Sequence, residues 1–243
     1  TAENRPLSSN VSLTLITETT PPTVTHALSQ LDPYLNATDV VTYTATFSEP
    51  MSATPTVDIN GQGYETLSPV AGSNDEIWTY YIDMSTYTGP QGALTCTVSG
   101  TDKFGNAYAA GSETLSVTVD TISPNLVKAT SSNTATTTYA LGETFDVILE
   151  YDEAVYLTLG SASPTFSIIT RFTPQTFKDI TYVSGSGTTS LTFEYTVEAG
   201  DLVNLSDNVY MEYNQNLNLY SGSLLDVAGN TARTALTTSG TPT

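Results

Sequence analysis

The chain has 243 residues, with 25 acidic side chains against six Lys and Arg, a formal net charge of −19, and one each of Cys, His and Trp. That balance excludes a nucleic-acid surface or an anionic lipid surface, because both need clustered Lys and Arg, and it favours cations as partners. His26 and Cys96 alone cannot build a four-ligand zinc site or an intrachain disulfide.

The length predicts two domains, each large enough for its own core. Thr and Ser fill about a quarter of the positions and long Ala- and Leu-rich stretches are missing, which is strand composition. In chain order, residues 1–18 come first. The chain starts at Thr1 without Met or a leader, so the expectation is a processed mature form or a piece of something longer. Val11, Leu13 and Leu15 alternate with polar residues and predict a strand. Glu18-Thr-Thr-Pro-Pro22 reads as a linker. The alternation Val41-Tyr43-Ala45-Phe47 predicts a strand that ends in Phe47-Ser-Glu49-Pro-Met51, followed by Pro55-Thr-Val57 and a Gly72-Ser73 turn. Trp78, Tyr80, Ile82 and Met84 mark another strand, and Asp102-Lys-Phe-Gly-Asn106 a turn.

The same marks then recur in the same order. Asp120-Thr-Ile-Ser-Pro124 answers the first linker. Phe145, Val147, Leu149 and Tyr151 answer the first strand, with Asp152-Glu153-Ala-Val155 after them. Pro164-Thr-Phe166, Gly185-Ser186, the strand Leu191-Phe193-Tyr195-Val197 and Asp226-Val-Ala-Gly-Asn230 complete the second copy. Period-two alternation with frequent turn signals predicts an all-β fold: two tandem immunoglobulin-like β-sandwich domains at 19–120 and 121–243, plus an extra N-terminal strand in 1–18. Trp78 aligns with Leu191, which reads it as core rather than as a platform for stacking sugars.

Phe47-Ser-Glu-Pro-Met51 followed by Asp102-x-x-Gly-Asn106 resembles the bacterial Ig-like repeats of very large surface adhesins and cell-wall proteins, over residues 19 to about 230. The resemblance implies an extracellular, cell-surface, calcium-stiffened structural module and names no ligand, since one fold serves as spacer, stalk or adhesive tip. The second copy departs from it in Tyr151-Asp-Glu153 and in a long insert around 198–218.

In an Ig sandwich the second and sixth strands end at the pole where the chain enters. Glu49 and Asp102 are therefore expected beside Glu18, and Asp152, Glu153 and Asp226 beside Asp120. Carboxylates that close repel unless a cation sits between them. Oxygen-only ligands and irregular geometry favour calcium, with backbone carbonyls such as those of Thr121 or Asn230 assisting and Gly105 and Gly229 allowing the sharp turns. The simpler alternative is that these acids cap solvated turns. Asp201, Asn204, Asp207 and Asn208 form a weaker oxygen-rich loop.

The ends do not match the middle. Asn4 to Glu18 repeats the spacing of Asn106 to Asp120, so Leu13 and Leu15 align with Leu115 and Val117. The second copy's own tail puts Ser239, Thr241 and Thr243 at the core positions and leaves Leu236 as its only large apolar residue. Either the chain is a fragment of a longer repeat protein flanked by neighbouring repeats, or residues 7–17 of one subunit complete the second domain of the next. The latter is donor-strand exchange, and it yields a head-to-tail homopolymer.

The remaining signals are smaller. Asn10, Asn36 and Asn204 head glycosylation acceptor sequons. Lys128 could enter an isopeptide bond, as in some pilus domains, but no diagnostic motif accompanies it. His26 and Cys96 read as structural residues. No phosphate loop, dinucleotide fingerprint, nucleophile elbow or membrane-spanning apolar run occurs. The expectation is a non-enzymatic extracellular fibre or adhesin-stalk subunit. The alternative is a glycan- or host-binding module with Tyr210, Tyr213 and Tyr220 as its platform.

Overall fold

The computed structural model describes residues 17–108, 111–131, 139–172, 174–201, 210–211 and 215–236. The fold is all-β. Among the described residues the one helical piece is a short 3-10 turn, Met84–Thr86, and no helix is long and apolar enough to cross a membrane.

In the first half the strands are β1 (Val24–Leu28), β2 (Tyr34–Leu35), β3 (Val40–Phe47), β4 (Thr56–Ile59), β5 (Tyr64–Thr66), β6 (Ser68–Pro69), β7 (Ile77–Asp83), β8 (Gly92–Ser99) and β9 (Glu113–Val119). The second half adds β10 (Leu126–Ser131), β11 (Thr144–Thr158), β12 (Thr165–Phe172), β13 (Gln175–Ser184), β14 (Thr188–Thr196), β15 (Tyr210–Met211) and β16 (Ser223–Leu225). They build three sheets. One is four-stranded in the order β1-β3-β7-β6, and another is five-stranded, β2-β9-β8-β4-β5. The third is seven-stranded, β10-β11-β14-β13-β12-β15, with β16 paired to β11 off that path.

Alternation makes these strands. In β3 the side chains of Val41, Tyr43, Ala45 and Phe47 are buried, while Thr42, Thr44 and Thr46 face the other way and stay partly exposed. β-branched Thr favours the extended backbone and tolerates water, so it suits the outer face. In β11 the buried set is Phe145, Val147 and Leu149, opposite Tyr195, Phe193 and Leu191 of β14. Each such aromatic or Leu contributes roughly 1.5–3 kcal/mol on burial.

The chain divides into two compact units, residues 1–31, 41–82 and 94–115, and residues 32–40, 83–93 and 116–243. The core of the first contains Tyr43, Phe47, Val57, Trp78, Cys96 and Val98. Trp78 is 5% exposed and donates from Nε1 to the Asp75 carbonyl at 2.9 Å, so it packs as core, like its repeat-mate Leu191. The second unit buries Phe145, Leu149, Phe166, Ile180, Phe193 and Leu224, with Phe166 and Phe193 meeting edge to face at 4.9 Å.

One local difference separates the two copies. β3 stops at Phe47, three residues before Pro50, which has no N–H to donate to a ladder. Its counterpart β11 has Ala154 there and runs for 15 residues. It pairs with β14 up to Glu150 and again at Val155, with a register shift in between that carries Asp152 and Glu153, and with β16 from Tyr156.

Candidate metal centre

The Asp-x-x-Gly-Asn motif builds a closed turn in both copies. Asp226 Oδ1 accepts from the Asn230 backbone N–H at 2.8 Å and Oδ2 from Asn230 Nδ2 at 2.8 Å. Asp226 N–H donates to the Asn230 carbonyl and Gly229 N–H to the Asp226 carbonyl. The first copy repeats this with Asp102 and Asn106, and the Phe104 N–H donates to Asp102 Oδ1 as well. Gly105 and Gly229 sit at φ +95° and +91°, a left-handed conformation that a side chain disfavours. Both aspartates are buried, Asp102 at 0% and Asp226 at 4% exposure.

Around each aspartate two more carboxylates gather. Glu18, Glu49 and Asp102 place one oxygen each within 4.8 Å of one another, and so do Asp120, Glu153 and Asp226. Among the described residues no Lys or Arg forms an ion pair with either group. In the first group the Met51–Asp102 bridge sets the Glu49 turn beside the Asp102 turn, and Asn106 Nδ2 donates to Glu18 Oε2. In the second, Asn230 Nδ2 donates to the Asp120 carbonyl at 2.8 Å. Each motif Asn thus ties the turn to the segment entering its copy.

The electrostatics differ between the two. Burial, then the charges of Asp120, Asp226 and Asp152, pushes the Glu153 carboxyl up to about 7. Glu49 is raised by burial and then by Asp102 and Glu18. Asp102 moves the other way. Burial is the largest single influence and acts upward, but hydrogen bonds from Asn106 and from the Phe104 and Gly105 N–H groups outweigh it and leave it lowered. These are oxygen-only donor sets with mutual repulsion and lone pairs to spare, a chemistry that suits a hard divalent cation.

Six of the predicted ligands converge, Asp152 does not, and Asn230 borders the second cluster. Glu18, Glu49 and Asp102 come together, as do Asp120, Glu153 and Asp226. Asp152 is exposed and turns away: it accepts from the Asn125 N–H at 2.7 Å, and its own N–H donates to the Asn125 carbonyl at 3.1 Å. Ser48 makes the same clamp on Thr23 in the first copy, so Asp152 does the work of a serine. The Asn230 side chain is committed to the turn, with Oδ1 accepting from the Ala37 N–H at 3.3 Å, and frames the cluster. Val11, Leu13 and Leu15 lie outside the described residues, as do Asn4, Asn10, Asn204, Asp207, Asn208, Tyr213, Ser239, Thr241 and Thr243; Tyr210 is described in its backbone only. Leu236 is buried, with its N–H donating to the Gln215 carbonyl.

A contact with no local sequence signal lies in the second unit. Asn36 Nδ2 donates to the Ala228 carbonyl at 2.9 Å, so the turn at 36–39 sits on the turn at 226–230. The Asn36 sequon is therefore occupied by structure, its Oδ1 accepting from Thr38 N–H and Oγ1. Elsewhere, Lys128 pairs with Glu150 at 3.2 Å, and Asp201 accepts from the Tyr195 hydroxyl and the Glu198 N–H. The Tyr220 hydroxyl bonds to Thr165. His26 bonds to the Tyr43 hydroxyl beside Cys96, whose thiol burial keeps protonated. Comparison with protein-family models and with curated protein sequences finds no match to the chain.

Proposed function

We propose that the chain is a non-enzymatic, extracellular structural module: two tandem immunoglobulin-like β-sandwiches of the bacterial Ig-like repeat kind, serving in a cell-surface fibre or adhesin stalk. Calcium is its cofactor, held by Asp120, Glu153 and Asp226 and, more weakly, by Glu18, Glu49 and Asp102. The observation that carries this reading is the repetition of one arrangement. Two turns 124 residues apart in sequence each gather three carboxylates within 4.8 Å, and among the described residues no Lys or Arg pairs with them. A cation there would neutralise the repulsion and tie each entering segment to the turns of its copy. Extracellular calcium modules bind at roughly 10⁻⁴–10⁻³ M, so the site would fill outside the cell.

Residues 7–17, with Val11, Leu13 and Leu15 facing a core, are proposed as the donor strand of a head-to-tail polymer. The composition of the second copy's tail supports this: at the spacing that puts Leu115, Val117 and Val119 after Asn106, the positions after Asn230 are Ser239, Thr241 and Thr243. Electron microscopy of the purified chain tests the reading: calcium-dependent filaments that chelator softens, and that vanish when residues 1–17 are deleted, are the expected result. A truncated chain that still polymerises overturns donor-strand exchange. Glycan-array binding without filaments would favour the ligand-binding alternative.

A further inference from the structure

The chain carries two copies of one docking pair, and only one copy of it is closed. In the second unit the turn Asn36-Ala-Thr-Asp39 lies on the turn Asp226-Val-Ala-Gly-Asn230. The Ala37 N–H donates to Asn230 Oδ1, Asn36 Nδ2 to the Ala228 carbonyl, and a Cβ on Gly229 would meet Asn36 Nδ2 at 3.3 Å. Ala228 is left 8% exposed and Asn230 6%.

Each partner has a repeat-mate. Asn36-Ala-Thr-Asp39 corresponds to Ala140-Leu-Gly-Glu143, closed by the same reciprocal bonds. Asn36 N–H donates to Asp39 Oδ2 at 2.8 Å and Asp39 N–H to the Asn36 carbonyl at 3.1 Å. In the mate, Ala140 N–H donates to Glu143 Oε2 at 2.7 Å and Glu143 N–H to the Ala140 carbonyl at 3.0 Å. Asp226–Asn230 corresponds to Asp102–Asn106. These mates stand open. Phe104, in the place of Ala228, is 69% exposed, and Leu141, in the place of Ala37, is 71% exposed. A Cβ on Gly105 would meet nothing within 4 Å, and Asn106 Oδ1 has no donor among the described residues.

We infer that the Leu141 turn of one molecule docks on the Phe104 turn of a second copy of this chain. It repeats the 36–39/226–230 contact, with the Leu141 N–H donating to Asn106 Oδ1 and the Leu141 and Phe104 side chains covering one another. The inference rests on the head-to-tail reading and names its contact. The mate of Asn36 is Ala140, so the hydrogen bond from Asn36 Nδ2 has no equivalent, and the larger apolar pair at 104 and 141 replaces it. Each molecule offers one turn of each kind, so the contact is heterologous and propagates instead of closing. Two turns bury far less than a standard interface, so the contact sets direction and spacing while the donated strand holds the subunits together.

The test uses full-length chain with Phe104→Ser and Leu141→Ser, both at exposed positions, studied by sedimentation velocity and electron microscopy in calcium, with thermal unfolding as the check on folding. Wild type is expected to form species that grow with concentration. Each variant should assemble at least tenfold more weakly, and the filaments it still forms through the donated strand should lose the regular subunit spacing of wild type. If both variants assemble as wild type does, the docking is overturned. In that event, loss of filaments on deleting residues 1–17 keeps the head-to-tail reading standing without it. A wild-type chain that stays monomeric in calcium overturns both.

Discussion

The two acidic clusters use one frame and differ in a single backbone event. In the first copy Pro50 ends the strand, and Glu49 sits on an irregular segment behind it. In the second, Ala154 lets β11 run on through Glu153, which sets that carboxyl beside Asp120 and Asp226 and pushes it up to about 7. The covering differs as well. The turn at 226–230 carries the Asn36 turn on it, whereas Phe104 and Gly105 of the first turn are exposed. Identical motifs thus present carboxylates of different strength, because a motif fixes a turn and the strand beside it fixes how much charge the turn must tolerate.

Substitution, calcium and pH each probe this contrast. The largest effect is expected from Asp226→Ala, which leaves the buried Asn230 groups unpaired and should cost about 3 kcal/mol in chemical denaturation. If it costs no more than a surface substitution, the turn does not frame the cluster. Calcium comes next. At about 100-fold over its dissociation constant it should add about 2.7 kcal/mol, seen as a rise in Tm that Glu153→Gln removes and Glu49→Gln only reduces.

The pH dependence derives from Glu153. Its folded carboxyl, raised to about 7, holds its proton more tightly than the unfolded chain does at its ordinary value of 4.5. Without calcium, stability should therefore fall as pH rises between about 4.5 and about 7 and level off above. Glu153→Gln should flatten that slope. Calcium competes with the proton, so its stabilisation should grow over the same window. The smallest effect is Asn36→Ala, about 0.5–1.5 kcal/mol for the lost hydrogen bonds, read by thermal unfolding; no change would mean that the two turns merely touch.

Much of the fold was legible in the sequence, because it was written in local periodicities. Alternation located β3, β11 and β14, and the repeated Asp-x-x-Gly-Asn located both turns, since Gly and a short acceptor have few other reasons to share that spacing. Repetition also separated Trp78 from a binding platform. Strand-end position alone puts Asp152 and Glu153 at the same pole, but successive residues point opposite ways, and Ser48 in the aligned position makes on Thr23 the clamp that Asp152 makes on Asn125. Asn230 is expected from the sequence to lend its backbone carbonyl; that carbonyl accepts from the Asp226 N–H, and the side-chain amide frames the cluster by bonding to Asp226 and to the Asp120 carbonyl. The Asn36 contact joins residues 192 apart through an amide and a carbonyl, which no pattern in one sequence announces.

At the centre stands the proposal that Asp120, Glu153 and Asp226 form a calcium site whose occupancy expels a proton. Isothermal titration of the full chain with calcium near pH 7, in two buffers of different ionisation enthalpy, tests it directly. Binding is expected at roughly 10⁻⁴–10⁻³ M, with about half a proton released because a carboxyl at about 7 is half-protonated there, and with loss of both in Glu153→Gln but not in Glu49→Gln. Binding without proton release, or no binding up to about 10 mM, would contradict it.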